Sequence, residues 1–145
     1  MKISTKGRYA LRMLVDLAKH QNEGFITLKD IAKRQEISKK YLEQIVVLLN
    51  PSKILQANRG FQGGYKLAVN PKEITVASIL KITENSINPV ACLDNNPNKC
   101  ERCHECPTLP VWEGLSEVIN NYLENITIQD IIDKQNERFA DNYVI

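Results

Sequence analysis

Four cysteines lie within fifteen residues of this chain of 145 residues, and they are the side chains best suited to specific chemistry. They are Cys92, Cys100, Cys103 and Cys106, which gives the spacing C-x7-C-x2-C-x2-C. Thiols grouped in this way act as metal ligands, redox groups or disulfide partners. The first residues do not resemble an export signal, and no apolar run is long enough to span a bilayer. We therefore expect a cytoplasmic protein, in which the thiols are reduced.

Several roles compete for these thiols. Inert buried cysteines would be scattered along apolar stripes, whereas these lie in a stretch rich in proline and asparagine. A redox disulfide would use one pair and leave two thiols without a role. Zinc accepts four cysteines, but its sites usually combine two separate C-x2-C pairs. A compact triplet with one distant cysteine is the ferredoxin-like arrangement, so the spacing favours an iron-sulfur cluster over zinc.

The charges of the chain are divided unevenly between its two halves. Lys and Arg outnumber Asp and Glu by 14 to 5 up to residue 72, and acidic residues outnumber basic ones by 12 to 5 beyond it. The net charges are therefore +9 and −7, although the whole chain carries only +2. A basic half is suited to a polyanion such as DNA. We accordingly divide the chain into residues 1–72, which bind DNA, and residues 73–145, which sense and dimerise.

The basic half carries the signals of a helix-turn-helix. Ser4 or Thr5 can cap an amphipathic helix, and Thr27 with Asp30 forms a capping box that opens a second, shorter helix. After a turn of three residues, Ser38 caps a third helix. Its exposed start carries long hydrogen-bond donors, namely Lys39, Lys40 and Gln44. Such donors at the start of a second helix are what a helix-turn-helix needs to reach base edges.

The segment after the third helix predicts a β-hairpin. We expect strands at Ile54–Ala57 and Tyr65–Ala68, joined by a glycine-rich tip that carries Arg59. A hairpin directly after a recognition helix is a wing. Glycines at the tip allow close approach of the backbone, so that Arg59 can reach phosphates or the minor groove.

Three stretches of the sequence carry a family resemblance. MKISTKGRYALRMLVDLA, ISKKYLEQ and NRGFQGGYKLA, followed by the cysteines and PTLPVW, resemble the bacterial winged-helix regulators typified by IscR, NsrR and CymR. The resemblance implies a mainly α-helical winged helix-turn-helix with a small β-hairpin wing, in a homodimer that binds a palindromic operator in double-stranded DNA. One departure is Pro51, which interrupts the connection from helix to wing. By position, the resemblance implies these DNA contacts: Ser38, Lys39, Lys40, Tyr41, Gln44, Arg59 and Gly60.

The acidic half predicts a helix, the cysteine loop and a longer dimerisation helix. Thr75 can cap the first helix, the loop covers about residues 88–110, and the dimerisation helix covers about residues 111–126. Its apolar seam is Trp112, Leu115, Ile119, Tyr122 and Ile126. Packing on the chain's own core would explain this seam equally well, but two DNA half-sites require a two-fold partner. A last short helix follows, capped by Thr127.

The family resemblance also bears on the cysteines. Cluster-bearing members have three cysteines, an arginine two residues after the second and a threonine two residues after the third. The matching positions here are Cys92, Cys100, Arg102, Cys106 and Thr108. The family's usual fourth ligands, a histidine or an aspartate, fall on Leu109 and Arg8 in this chain. We therefore predict an all-cysteine site completed by Cys103, with His104 as the alternative ligand, and the spacing favours [4Fe-4S] over [2Fe-2S].

Together these features predict a transcriptional regulator, most simply a repressor, whose promoter binding is controlled by an iron-sulfur cluster. Iron-sulfur supply, oxygen or redox state, or nitric oxide would be the signal. The alternative is a winged-helix repressor that zinc stabilises and another signal controls. An electron-transfer protein would have no use for a wing, and the sequence lacks the nucleophile-base pairs or phosphate loops of an enzyme. We expect no membrane partner.

Overall fold

The computed structural model describes residues 1–143, and residues 144 and 145 of the predicted C-terminal region lie outside it. The chain is mainly α-helical, with one two-stranded hairpin. The elements are α1 (Thr5–Lys19), α2 (Leu28–Gln35), α3 (Lys39–Leu49), β1 (Leu55–Asn58), β2 (Gly64–Leu67), α4 (Val76–Thr83), α5 (Leu109–Glu124) and α6 (Ile128–Tyr143). Within the described range, no helix combines the length and the hydrophobicity needed to cross a bilayer.

The predicted capping residues begin the helices. In each case the side-chain oxygen accepts a hydrogen bond from the backbone N–H three residues further on, at 3.0 to 3.1 Å. The residues that cap in this way are Ser4, Thr27, Ser38 and Thr75. Each such bond satisfies a donor that the helix itself leaves unpaired. The predicted helix starts in the first 83 residues are therefore confirmed.

The hydrophobic core lies between α1, α2 and α3 and extends to α6. Met13, Leu14 and Leu17 of α1 are buried with their counterparts on α3. Ile128 and Ile132 of α6 belong to the same core, so residues from both halves of the chain share it. The last helix was predicted to be short, but it has 16 residues. Its packing on α1, which the local sequence does not reveal, accounts for the difference.

The wing forms one residue away from the predicted strand positions. Leu55 pairs with Leu67 at its base and Asn58 pairs with Gly64 at its tip, in antiparallel register. Pro51 lies in a 3-10 turn, Asn50–Ser52, which follows α3 directly and leads into the wing.

A backbone bridge that the sequence did not predict holds the wing against the helix-turn-helix. Tyr65 of β2 exchanges two backbone hydrogen bonds with Ile26, at N···O distances of 2.7 and 2.8 Å. Gly64 is required beside this bridge, because a Cβ atom there would lie 2.6 Å from the carbonyl carbon of Ile26. The bridge fixes the wing relative to the start of α2.

An ion pair between a buried carboxylate of α1 and a partly exposed guanidinium of α2 joins these two helices. Asp16 is 2% exposed and accepts hydrogen bonds from Arg34 Nη2 at 2.6 Å, Arg34 Nε at 3.0 Å and Gln35 Nε2 at 2.9 Å. Burial disfavours the charged form of Asp16, but the hydrogen bonds from Arg34 and Gln35 outweigh it and hold the pKa of this carboxyl below its usual value. This carboxylate of α1 therefore contributes polar contacts that hold α2, in addition to the shared hydrophobic core.

Candidate DNA interface and cysteine loop

The N-terminal end of α3 presents polar and basic side chains to solvent. Lys39, Lys40 and Gln44 are exposed, and the side chains of Lys39 and Glu43 approach to 3.9 Å. The first turn of α3 contains no acidic residue, so its unpaired N–H groups form a positive end that favours phosphate. This is the chemistry that a recognition helix requires.

Two of the predicted DNA contacts on α3 also serve the fold. The Ser38 hydroxyl accepts the capping bond from Tyr41 N at 3.1 Å. Tyr41 is half-buried, and its ring lies edge-on to that of Tyr9, with 5.4 Å between the ring centroids. Both residues lie at the predicted surface, but their replacement would disturb α3 itself.

Arg59 and Gly60 lie at the exposed tip of the wing. Gly60 has a φ of 110°, which L-residues with a side chain rarely adopt. Its carbonyl accepts a hydrogen bond from Gly63 N at 3.0 Å, which closes a tight turn. The turn presents Arg59 at the tip of the wing. A second cation of the wing, Lys66 on β2, has its Nζ 4.7 Å from the centre of the Phe25 ring.

All four cysteines are free thiols on the loop between α4 and α5. Cys100 is exposed and the other three are half-buried. Cys103 N donates a hydrogen bond to Cys100 O at 3.2 Å, so the triplet begins in a tight turn. Among residues 1–143, no three His, Cys, Asp or Glu side chains come close enough together to hold a metal ion. The donor set fits a cluster by its chemistry, but the loop does not bring the donors together.

Cys106 lies beside a hydrogen-bonding partner, Thr108. Its Sγ lies 3.5 Å from the Thr108 hydroxyl, and hydrogen bonds from the side chain and backbone of Thr108 lower the pKa of this thiol. The neighbouring charge of Arg102 contributes in the same direction. A lowered pKa increases the thiolate fraction, which is the form that binds metals.

The loop is attached to α5 through Asn88, a residue that sequence reasoning missed. Asn88 Oδ1 accepts a hydrogen bond from Ser116 Oγ of α5 at 2.9 Å. Its Nδ2 donates to Leu93 O at 3.0 Å and to Asp94 Oδ1 at 3.1 Å. Hydrogen bonds from Ser86 and Asn88 hold the pKa of Asp94 below its usual value. One side chain thus joins the cysteine-bearing loop to the helix that was predicted to dimerise.

The apolar seam of α5 differs from the predicted one. None of its residues is buried, and four large apolar side chains are between 42% and 64% exposed. They are Val111, Leu115, Val118 and Tyr122, a spacing of i, i+4, i+7 and i+11. Trp112 and Ile119, which were predicted to lie on the seam, are half-buried, and Ile126 lies beyond the end of the helix. The exposed seam therefore keeps Leu115 and Tyr122 of the predicted one but contains Val111 and Val118 in place of Trp112 and Ile119.

A short helix, a tight turn, an exposed basic helix and a β-hairpin define a winged helix-turn-helix protein of the kind that regulates transcription. The chain belongs to the Rrf2 family of iron-dependent transcriptional regulators, whose family model matches residues 3–134.

Curated relatives and solved structures agree with this assignment. The regulator IscR of Serratia proteamaculans is 35% identical over 135 residues, which cover 93% of this chain and 81% of that protein. Protein rrf2 of Nitratidesulfovibrio vulgaris is 36% identical over 132 residues, covering 91% of this chain and 87% of that protein.

Two solved structures have the same fold as this chain. T. potens IscR is 35% identical with a TM-score of 0.76 and covers 95% of this chain and 90% of its own. CymR, described as the global cysteine regulator of B. subtilis, is 34% identical with a TM-score of 0.76. The match covers 92% of this chain and 98% of that chain. The predicted family and winged-helix fold are confirmed, and the chain is a DNA-binding transcriptional regulator rather than an enzyme.

Proposed function

We propose that this regulator is a homodimeric repressor whose operator binding is controlled by an iron-sulfur cluster held by Cys92, Cys100, Cys103 and Cys106. One observation carries the proposal: every cysteine of the chain is a free thiol on a single loop, and that loop is hydrogen-bonded to α5. The family's description as iron-dependent supports a metal cofactor. Zinc bound by the same four thiols is the competing assignment.

A bound cluster supplies several charges and a rigid attachment point for a loop that has little regular structure of its own. The four thiolates of this chain would be its ligands, with [4Fe-4S] favoured over [2Fe-2S] by the cysteine spacing. Iron-sulfur supply, oxygen or nitric oxide would be the signal. Loss or gain of the cluster would change how the loop is ordered, and Asn88 would pass that change to α5.

We further propose that the exposed seam on α5 pairs with the same seam of a second copy. A helix-turn-helix that reads a palindrome needs two copies at a fixed separation. The seam carries large exposed apolar side chains over about three turns, which is unusual for a surface without a partner. Because half-site spacing is a rigid demand, a small shift at this seam would change operator affinity strongly.

The proposal is tested by measuring the affinity for DNA before and after the cluster is removed. The probe is a duplex of about 30 base pairs that the full chain, purified without oxygen, selects from a random library. We expect the loaded and stripped proteins to differ in affinity by about tenfold or more, a coupling free energy in the usual range. Equal affinities at the same salt concentration would contradict control by the cluster.

Replacing Asn88 with alanine should uncouple the cluster from DNA binding. The four thiols remain, so the variant should bind the cluster, but its loop is no longer bonded to α5. We expect the ratio of loaded to stripped affinity to fall toward one while the visible spectrum persists. The matched control is Asn95→Ala, which changes an exposed residue of the same loop. If Asn88→Ala kept the wild-type ratio of loaded to stripped affinity, the bond from Asn88 to α5 would not be what couples the cluster to DNA binding.

Substitutions on α3 should separate base reading from phosphate contact. We expect Gln44→Ala to weaken binding of the selected duplex by about 1–3 kcal/mol and to relax specificity at one base pair. We expect Lys40→Ala to weaken selected and random duplexes alike and to reduce the salt slope by about 1. Fluorescence anisotropy at several salt concentrations measures both effects, with Lys134→Ala on α6 as the control. Wild-type affinities and salt slopes in both variants would exclude the N-terminal end of α3 from the interface.

A further inference from the structure

The wing tip exposes a large aromatic side chain, Phe61, which contributes nothing to the hydrophobic core. Its relative exposure is 103%, more than that of any other exposed large apolar side chain of residues 1–143. A phenyl ring left fully in water at the tip of a hairpin has its whole apolar surface available to a binding partner. The position follows Arg59 and Gly60 directly.

The tip holds Phe61 in a defined place. Gly60 accepts the hydrogen bond from Gly63 N at 3.0 Å, so Phe61 and Gln62 form the two corners of a tight turn. Gly63 is packed closely, because a Cβ atom there would lie 2.7 Å from Asn58 O and 2.9 Å from Gly60 O. Gly60 and Gly63 therefore constrain the turn on both sides, and the side chain of Phe61 is left in solvent.

We propose that Phe61 is an apolar wedge, which enters the minor groove beside the site read by α3 and partly unstacks one base step. This inference rests on the proposed placement of α3 and of the wing on DNA. Apolar side chains inserted in this way kink the duplex toward the major groove and are a recurrent device of minor-groove contact. Arg59, two residues away, supplies the cation that a narrow minor groove attracts.

The chemistry of the wing favours DNA over a protein surface as the partner of Phe61. Arg59, Lys53 and Lys66 lie on or beside the hairpin, and the described hairpin, residues 55–67, contains no acidic residue. A single aromatic side chain on a hairpin that carries cations and no acidic residue is suited to a polyanion whose groove walls are apolar sugars and base edges. A protein partner would instead need a wider apolar patch.

The test compares Phe61→Ala, Phe61→Leu and Arg59→Ala in the full chain, using the duplex that the wild-type protein selects. We expect Phe61→Ala to bind that duplex about tenfold more weakly, since the apolar surface then stays in water. Its salt slope should be unchanged, because no counterion is released by an apolar contact, whereas Arg59→Ala should reduce the slope by about 0.9. Phe61→Leu should retain most of the affinity, since leucine also serves as a wedge.

Energy transfer between dyes at the two ends of the duplex provides the second measurement. We expect the wild-type protein and Phe61→Leu to bend the DNA, and Phe61→Ala to bend it less. Wild-type affinity and bending in Phe61→Ala would overturn the inference, and a shift of its free form toward smaller species in sedimentation would assign Phe61 to self-association instead. If the wild-type protein selects no duplex at all, the proposed DNA interface fails rather than the role of Phe61.

Discussion

Replacing Arg34 with alanine is expected to lower the free energy of unfolding by about 3 kcal/mol, because it leaves a buried carboxylate without its partner. Asp16 is almost completely buried, and both oxygens accept hydrogen bonds from the Arg34 guanidinium. The Gln35 side chain would still donate a hydrogen bond of 2.9 Å, and the His20 imidazole would remain 3.7 Å away, but neither replaces the two bonds from the guanidinium. Urea denaturation followed by circular dichroism measures the loss.

The matched control for Arg34 is Lys33→Ala, which removes the neighbouring exposed cation of α2. Surface substitutions of this kind usually change stability by less than about 0.5 kcal/mol. A stability loss in Arg34→Ala no greater than that of the control would contradict the proposed role of the ion pair. We also expect the destabilised variant to bind the selected duplex more weakly near its unfolding temperature, because α2 is then held less firmly.

The same carboxylate sets a pH dependence. The folded-state pKa of Asp16 lies below that of an unperturbed aspartate, about 3.9. Its contribution to stability is therefore fully present above that unfolded value, and it is lost as the pH falls through the lower, folded value. Asp16→Asn should be less stable than the wild type at neutral pH. Its free energy of unfolding should then fall less as the pH is lowered, because it has no carboxylate at this position to protonate. If the free energy of unfolding of Asp16→Asn fell as steeply with decreasing pH as that of the wild type, the acid sensitivity would be due to other carboxylates.

Replacing Cys103 with serine is expected to have the largest effect on the cofactor. In the proposed site Cys103 is the fourth ligand, and its thiolate takes the role that a histidine or an aspartate usually has in the family. A serine hydroxyl is a much poorer ligand for iron than a thiolate. We therefore expect the lifetime of the cluster in air to be at most about one tenth of the wild-type lifetime. Decay of the visible absorption after air is admitted measures this lifetime.

The control for Cys103 lies next to it in the chain. His104 is exposed, and His104→Ala should leave the cluster spectrum and lifetime unchanged. Cys106→Ser removes one of the three cysteines that match the family pattern, so it shows how the cluster behaves when a ligand is lost. If Cys103→Ser behaved like the wild type and His104→Ala like Cys106→Ser, the fourth ligand would be the histidine.

The sequence predicted those features that depend on local contacts. The capping bonds of Thr27 and Ser38 join atoms three residues apart, so their residue types and spacing were enough to predict where α2 and α3 begin. The wing was predictable because its turn needs glycine and its strands are adjacent in the chain. Its two strands were predicted within one residue of their observed positions.

Features that depend on distant contacts were not predictable in the same way. The backbone bridge from Ile26 to Tyr65 joins segments about forty residues apart. It requires Gly64, but a glycine at the start of a strand does not identify the distant segment that it approaches. The length of α6 depends on its packing against α1, and the exposed seam of α5 depends on how that helix is rotated. Asn88 was missed because an asparagine in a loop carries no periodic signal, whereas its partner Ser116 lies 28 residues away.

The visible absorption spectrum of protein purified without oxygen, combined with iron, sulfide and zinc analysis, tests whether the cysteines hold an iron-sulfur cluster. We predict a brown protein with broad visible absorption, with iron and sulfide in equal amounts and about four of each per chain. Two iron and two sulfide ions per chain would indicate [2Fe-2S] and would still support an iron-sulfur cluster. A colourless protein with one zinc ion per chain would contradict it and make the cysteine loop a structural zinc site.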